Sequence, residues 1–371
     1  MVIEPPRPLI EDLDTIPFPD KDLFWKDIPG IWKSCYILVV SRGCSFNCTY
    51  CFNSYMKRMY EGKGCWRRWR SVDNIIAELK WAKERYNFSR VQFWDDNLLD
   101  RKDWYEPLLE RYGAEIGLPV AVWASPQHLN KHTVPLLEKA GCANLAVGLQ
   151  TIYESTREKI LRRFQTNETI ANAIDLVGES GITLEISCIV QLPGQTLQEV
   201  EDTARFLNEH RPDAAFVFFL RYFPKIDLID IAKAMGHITD DEVEEFEEAL
   251  EERAFTLPSR QDDDTIARLR LVMILSRALP KGVVRWLLDK GRYKYLPKAG
   301  LQTPLFFATD IMRRVLGKKR RWQEQYTLIE YAYHVLYFTM KKIRWRLGKI
   351  GGRGAKNAAY ERDLQSNGPG A

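Results

Sequence analysis

Residues 44–51 read CSFNCTYC and follow directly on the apolar run Tyr36-Ile-Leu-Val-Val-Ser41. The spacing CxxxCxxC sets Cys44, Cys48 and Cys51 on one tight loop behind a β-branched, strand-forming run. Three thiolates so placed make a soft-metal site, of the kind that takes an iron–sulfur cluster or zinc. The count separates the two. A cubane cluster has four irons, so three cysteines leave one iron with an open position, as a catalytic metal requires. Structural zinc needs a fourth ligand. Cys65 is the nearest on offer, since Cys35 lies at the far end of the preceding strand and no histidine precedes His128. A disulfide framework fits poorly: the seven cysteines are an odd number, and the opening MVIEPPRPLIEDLD has no secretory apolar segment.

Beyond the loop, residues 36 to about 235 alternate short apolar runs with amphipathic segments, the βαβ pattern of a parallel sheet or barrel. Strands are expected at 36–41, 90–94, 119–124, 144–149, 183–190 and 215–221. Ser71 stands at an N-cap, and Val72, Ile75, Ile76, Leu79, Ala82 and Tyr86 recur at helical spacing behind it. Further helices are expected near 130–140, 167–180 and 196–209, with Gly141 and Gly181 as left-handed stops for two of them. Six βα units fall short of the eight of a closed TIM barrel.

A cysteine loop after the first of six βα units resembles the radical S-adenosylmethionine (radical SAM) superfamily. Tyr50, an aromatic just before the third cysteine, is similar to the same motif. The resemblance implies an α/β fold, a partial (βα)6 TIM-like barrel over residues 35–235. It implies a 4Fe–4S cluster on Cys44, Cys48 and Cys51, with SAM chelated to the open iron through its methionine amino and carboxylate groups. An electron from a donor such as flavodoxin or ferredoxin would then cleave the sulfonium, and the resulting 5′-deoxyadenosyl radical would take hydrogen from substrate.

Chemistry in such barrels gathers at the C-terminal ends of the strands, and those ends supply the remaining site residues. Tyr50 and Phe52 are expected near the adenine of SAM. Trp94-Asp-Asp-Asn97 stands where the superfamily often has a Gly-Gly-Glu-like stretch for the SAM ammonium. Asp-Asp is a feature of the cobalamin-dependent branch, so Asp95 and Asp96 enter as site residues without a choice between them. Ser125-Pro-Gln-His128 offers polar groups, although a lone loop histidine is more often structural. Val147-Gly-Leu-Gln-Thr151 departs from the usual Gly-Leu-Glu-Ser, so Gln150 keeps hydrogen bonding but loses charge. Arg162 and Arg163 are a source of a cation for the SAM carboxylate. Ile189-Val-Gln-Leu-Pro-Gly-Gln-Thr196 resembles the family's Gly-x-Pro-Gly-Glu-Thr turn, with Gln191 beside adenine and Thr196 capping the next helix.

The flanks narrow the resemblance. Residues 1–34 form an extended, proline-rich lead-in, and Glu11–Asp20 resembles the connector that joins an N-terminal corrinoid domain to the barrel in cobalamin-binding relatives. That domain is expected to be lost, encoded elsewhere as a separate cobalamin-binding subunit, or left off this chain, so use of cobalamin by the chain itself stays open. Residues 236–350 are expected to be a helical region over the open side of the barrel, and 351–371 a glycine-rich disordered tail. The segment 326–349 is apolar and aromatic with a basic end, suited to packing or to peripheral contact with an anionic inner membrane surface. The chain has 371 residues, 45% hydrophobic and 28% charged, with a net charge of +4 too small to argue for nucleic acid. No stretch is long and apolar enough to span a membrane. Reduced thiols and an oxygen-sensitive cluster suit the cytoplasm. The reaction expected is hydrogen abstraction from a small-molecule or lipid substrate, in methylation or rearrangement of an unactivated carbon. An RNA- or peptide-modifying radical SAM enzyme and a non-catalytic iron–sulfur electron carrier are the alternatives.

Overall fold

The computed structural model describes residues 5–25, 33–248, 263–276 and 279–297. β1 (Cys35–Leu38) opens a six-stranded sheet, while β2 (Ser41–Arg42) and β3 (Arg68–Trp69) pair antiparallel in a small separate ribbon. The sheet continues with β4 (Arg90–Phe93), β5 (Val120–Ala124), β6 (Cys142–Gln150), β7 (Thr183–Val190) and β8 (Ala214–Phe219), every neighbouring pair parallel. All six expected strands are present.

The strands lie side by side in the order in which they occur in the chain. With right-handed crossovers, such an order puts every connecting helix on one side, whereas a doubly wound sheet reverses its order and carries helices on both. The sheet therefore has an outer, helix-covered face and an inner one. Among the described residues β1 and β8 are not paired with each other, so the barrel is open and partial.

The outer face alternates with period two: Tyr36, Leu38, Val91, Phe93, Val120, Val122, Leu145, Val147, Ile186 and Val217 all enter one core. Helices meet it with period 3.6, through Ile75 and Leu79 of Val72–Arg85, Leu108 and Leu109 of Lys102–Glu115, Ile170 and Ile174 of Asn167–Gly178, and Val200 and Leu207 of Leu197–His210. Each such side chain contributes roughly 1.5–3 kcal/mol by leaving water. Ser71, Thr166 and Thr196 cap three of these helices with their hydroxyls. Gly141 is left-handed at φ +87°, as expected of a stop signal. Gly181 is not. Its N–H donates to Glu138 Oε1 at 2.7 Å, and a Cβ there would sit 2.8 Å from that oxygen, so close approach explains the glycine.

The lead-in runs mostly extended over residues 5–25, broken by the single turn Leu13–Thr15 and the short helix Asp22–Trp25. It is pinned across the segment that follows the cysteine loop: Leu9 N–H donates to Lys63 O at 2.7 Å, Cys65 N–H to Glu11 at 2.8 Å and Ser71 N–H to Asp14 at 2.9 Å. Lys21 lies 3.5 Å above the Tyr36 ring and donates to Ile37 O. Past the barrel, the expected helical region opens with the acidic helix Asp240–Glu248, and Asp263–Leu275 packs on the Leu197–His210 helix and on β8. The part of the expected helical region past residue 297, the apolar and basic segment 326–349 and the tail at 351–371 lie outside the described residues. Among the described residues no helix is long and apolar enough to cross a membrane.

Candidate functional site

The cysteine loop leaves β1 through a buried junction. Val40 N–H and Ser41 N–H donate to the Asp95 carboxylate at 3.1 and 2.5 Å, and Ser41 Oγ donates to it at 2.5 Å. These donors would otherwise extend the strand, which is why β1 stops at Leu38 rather than at the expected residue 41. Gly43 is left-handed at φ +79°, with Trp66 O only 2.5 Å from where a Cβ would be. Trp66 Nε1 donates to Cys44 O at 3.1 Å, and Arg67 donates to Gly43 O. Farther on, Thr49 ties the loop to the rest of the barrel: its hydroxyl donates to Ile160 O at 2.5 Å, and its carbonyl accepts from Leu228 N–H at 3.0 Å. Helix Phe52–Met59 starts immediately after Cys51.

Cys44 and Cys48 are buried, Cys51 is half-buried, and all seven cysteines are free. Burial pushes the Cys44 thiol up to about 12, and the charges of Asp96, Cys48 and Cys51 add to the shift. Burial pushes the Cys51 thiol up as well, with Cys48 adding to it. The three thiols thus feel one another, yet among the described residues no three Cys, His, Asp or Glu side chains converge on a point as single-ion ligands do. Thiolates of a cubane each take a different iron, and a donor set of three thiols on one loop fits that cluster. Cys65, the fourth ligand a zinc site would need, is exposed and donates to Arg67 O at 3.1 Å.

The remaining residues sort into those the fold brings to this loop and those it turns away. Arg163 is buried against it: Nη1 lies 3.9 Å from Cys48 Sγ and 3.3 Å from the Tyr50 hydroxyl, while Nη2 donates to Gly148 O at 2.9 Å. Its Nε is buried without a partner. Arg162, the neighbour expected in the site, is left-handed (φ +51°) and exposed, and pairs with Asp227, which also binds Arg58 at 2.6 Å. Of the two, Arg163 is the cation that lies against the cysteine loop. Asp95 is likewise committed elsewhere, to the β1 junction. Asp96 stands within electrostatic reach of Cys44 and Cys51 and takes a hydrogen bond from Asn53; burial pushes its carboxyl up, against the pull of Asn53 and Arg67.

Tyr50 packs its ring against the apolar cluster of Leu161, Leu192, Leu220 and Tyr222 and presents its hydroxyl to Arg163. Phe52 is half-exposed, 6.3 Å edge-on from Phe223. Gln150 is left-handed at φ +66°, at the end of a bulge where β6 slips against β7, and its amide folds over Gly148. Thr151 beside it donates its hydroxyl to Glu199 at 2.7 Å. Gln191 is left-handed too (φ +68°), its N–H held by Gln195 Oε1 at 2.8 Å. His128 pairs with Asn97 at 3.3 Å, and burial lowers its pKa.

A parallel, sequentially ordered open barrel with a cysteine loop at the C-terminal end of its first strand defines the class: an open α/β barrel core with a cysteine triad at its mouth. Residues 38–207, just under half of the chain, match the family model of the radical SAM superfamily. It is 29% identical over 238 residues to an uncharacterized methyltransferase of Pyrococcus horikoshii, covering 62% of this chain and 49% of that protein. It is 20% identical over 243 residues to cytidylyl-2-hydroxyethylphosphonate methyltransferase of Streptomyces wedmorensis, covering 62% and 43%. Among solved structures it aligns with the radical SAM methyltransferase TsrM of Kitasatospora setae, at TM-score 0.48 and 18% identity over 56% of this chain and 40% of that one. The chain spans less than half the length of these curated relatives.

Proposed function

We propose that the chain is a radical SAM enzyme, which cleaves SAM reductively at a 4Fe–4S cluster on Cys44, Cys48 and Cys51 and abstracts hydrogen from a substrate on the inner face of the sheet. The observation that supports this most is the loop itself, three free thiols behind β1 with a buried guanidinium against one of them. When bound, the cluster supplies the electron that splits the sulfonium into methionine and a 5′-deoxyadenosyl radical.

The chain's own residues have distinct tasks in this reading. The cysteines hold the cluster, and Arg163 sets a positive charge against the thiolate of Cys48. Asp96 and Asn53 are placed to accept and orient the ammonium of SAM, where charge-assisted hydrogen bonds are the stronger kind. Arg163 also has a buried Nε–H to offer a carboxylate. The bends at Gln150 and Gln191 turn backbone toward the nucleotide, and Phe52 offers a ring face beside it. Flavodoxin or ferredoxin would supply the electron in the cytoplasm.

The narrower reading is methyl transfer or rearrangement at an unactivated carbon. It is favoured by the two methyltransferases among the relatives and by the pinned lead-in, and any corrinoid would be held by a second domain or subunit. The test is anaerobic cluster reconstitution of the full chain, followed by assay of 5′-deoxyadenosine with SAM and dithionite. Iron-dependent product supports the enzyme; a loaded cluster that neither binds nor cleaves SAM makes the protein an electron carrier instead. Stoichiometric zinc in place of iron would end both readings.

A further inference from the structure

Between β2 and Cys51 the backbone is neither helix nor strand, so the shape of the cysteine loop depends on groups that reach it from outside. Two of its carbonyls are held by consecutive side chains of the segment 61–71. Trp66 Nε1 donates to Cys44 O at 3.1 Å, and Arg67 donates to Gly43 O. Trp66 packs so closely on Gly43 that a Cβ there would lie 2.9 Å from two atoms of the indole ring. Arg67 also pairs with Asp100, in the turn Leu98–Asp100 after β4, at 2.8 Å, the two side chains being 12% and 8% exposed. Asp100 in turn accepts from the Ser45 hydroxyl, and Asn97 donates to its other oxygen at 3.4 Å. One carboxylate therefore grips the loop on both sides of Cys44, directly at Ser45 and through Arg67 at Gly43.

The segment 61–71 is itself held from its far side by the lead-in. Glu11 accepts from Cys65 N–H at 2.8 Å, and Ile10 O accepts from Arg68 at 2.7 Å. Gly64 has φ +120°, and a Cβ on it would run into Glu11 Oε1. Close approach at a glycine thus marks both joints, Glu11 against Gly64 and Trp66 against Gly43. Because Cys65 directly precedes Trp66, a contact made at Glu11 reaches Cys44 through two consecutive residues. Asp14 holds the same segment by its other end, at Ser71 N–H, four residues past Arg67 and outside this series of contacts. Taking a carboxylate and a guanidinium out of water adds little net stability, whereas metal ligands must be held to within about 0.5 Å.

We infer that Asp100 and Glu11 are positioning residues that hold Cys44 in place as a ligand, Asp100 from the turn after β4 and Glu11 from the lead-in through Trp66. The inference rests on the reading that Cys44, Cys48 and Cys51 hold a cluster. Its test is pulse alkylation of the full chain by iodoacetamide before cluster reconstitution, with labelling at each cysteine followed by mass spectrometry. Cys188, fully buried in the outer core, reports opening of the whole fold. Cys44 labelling should rise roughly tenfold in Asp100→Ala and about threefold in Glu11→Ala, with Cys188 unchanged. Glu11→Gln, which keeps the accepting oxygen, restores the parent rate, and Asp14→Ala leaves Cys44 as it was. Unchanged Cys44 labelling in Asp100→Ala or Glu11→Ala, an equal rise in Asp14→Ala, or a rise at Cys188 in step with Cys44 overturns the assignment. After anaerobic reconstitution, Asp100→Ala and Glu11→Ala should hold less iron per chain than the parent and give a broadened EPR signal for the reduced cluster. Iron content equal to the parent's in both variants overturns the positioning role. A parent chain that takes up no iron ends the cluster reading and this role with it, while the labelling result stands by itself, so the tethers and the cluster fail separately.

Discussion

On its outer face the sheet presents Leu38, Phe93, Val122, Val147, Ile186 and Val217, all buried in one core under a layer of helices. On its inner face the same strands present Gln92, Trp123, Gly148, Ser187 and Phe216, a mixture of polar, small and aromatic groups, Phe216 exposed and the others half-buried. Cohesion comes from the first face, which frees the second from packing constraints. Chemistry then collects where the two faces end together, at the loops after β1, β4, β6 and β7.

The largest expected effect tests that division at the loop. Cys48→Ala should lose iron and 5′-deoxyadenosine formation altogether, while apoprotein stability in a urea melt changes by no more than about 1 kcal/mol. Turnover in that variant would remove Cys48 from the ligand set.

Next comes a pair of neighbours on β7. Ile186→Ala on the outer face should cost roughly 2–5 kcal/mol by urea denaturation, and Ser187→Ala on the inner face about 0.5 kcal/mol or less. Equal costs would erase the contrast between faces.

Asp95→Asn should cost about 1–3 kcal/mol, because an amide nitrogen would face donors that now share a carboxylate. Its pH dependence has a definite sign. Burial raises the folded Asp95 carboxyl from 3.8 to about 6, so between those values the native state binds more protons than the unfolded one. Stability should therefore fall as pH rises through this window, on the order of 1–3 kcal/mol, and then level off. Asp95→Asn should flatten the fall in melts taken from pH 4 to 7. On the inner face, Trp123→Ala should cost about 1 kcal/mol for a half-buried ring in a thermal melt.

Several features were legible because their signals are local. The cysteine spacing, the six apolar runs and the caps at Ser71 and Thr196 each reside within a few residues. Helix Lys102–Glu115 was hidden, since Pro107 and Gly113 interrupt an otherwise regular stripe of Trp104, Tyr105, Leu108, Leu109 and Tyr112. The choice within each charged pair was hidden for another reason. Asp95 and Asp96 are adjacent, and consecutive side chains after a strand point to opposite sides. Arg162 sits at a left-handed turn, so its guanidinium and that of Arg163 diverge, one toward Asp227 and one toward Cys48. Neither turn leaves a mark in composition or spacing. Thr49, whose contacts are with residues more than a hundred positions away, had no local signal at all.

By itself the chain's order of residues determined the cysteine triad, the parallel βα repeat and the period-two pattern that makes one face apolar, because each depends on near neighbours and on backbone geometry. Only the tertiary structure decided which carboxylate and which guanidinium reach the thiols, and that Trp94 stacks on Trp123 of the neighbouring strand. Those outcomes depend on register, on bulges and on left-handed bends, through which residues far apart in sequence meet.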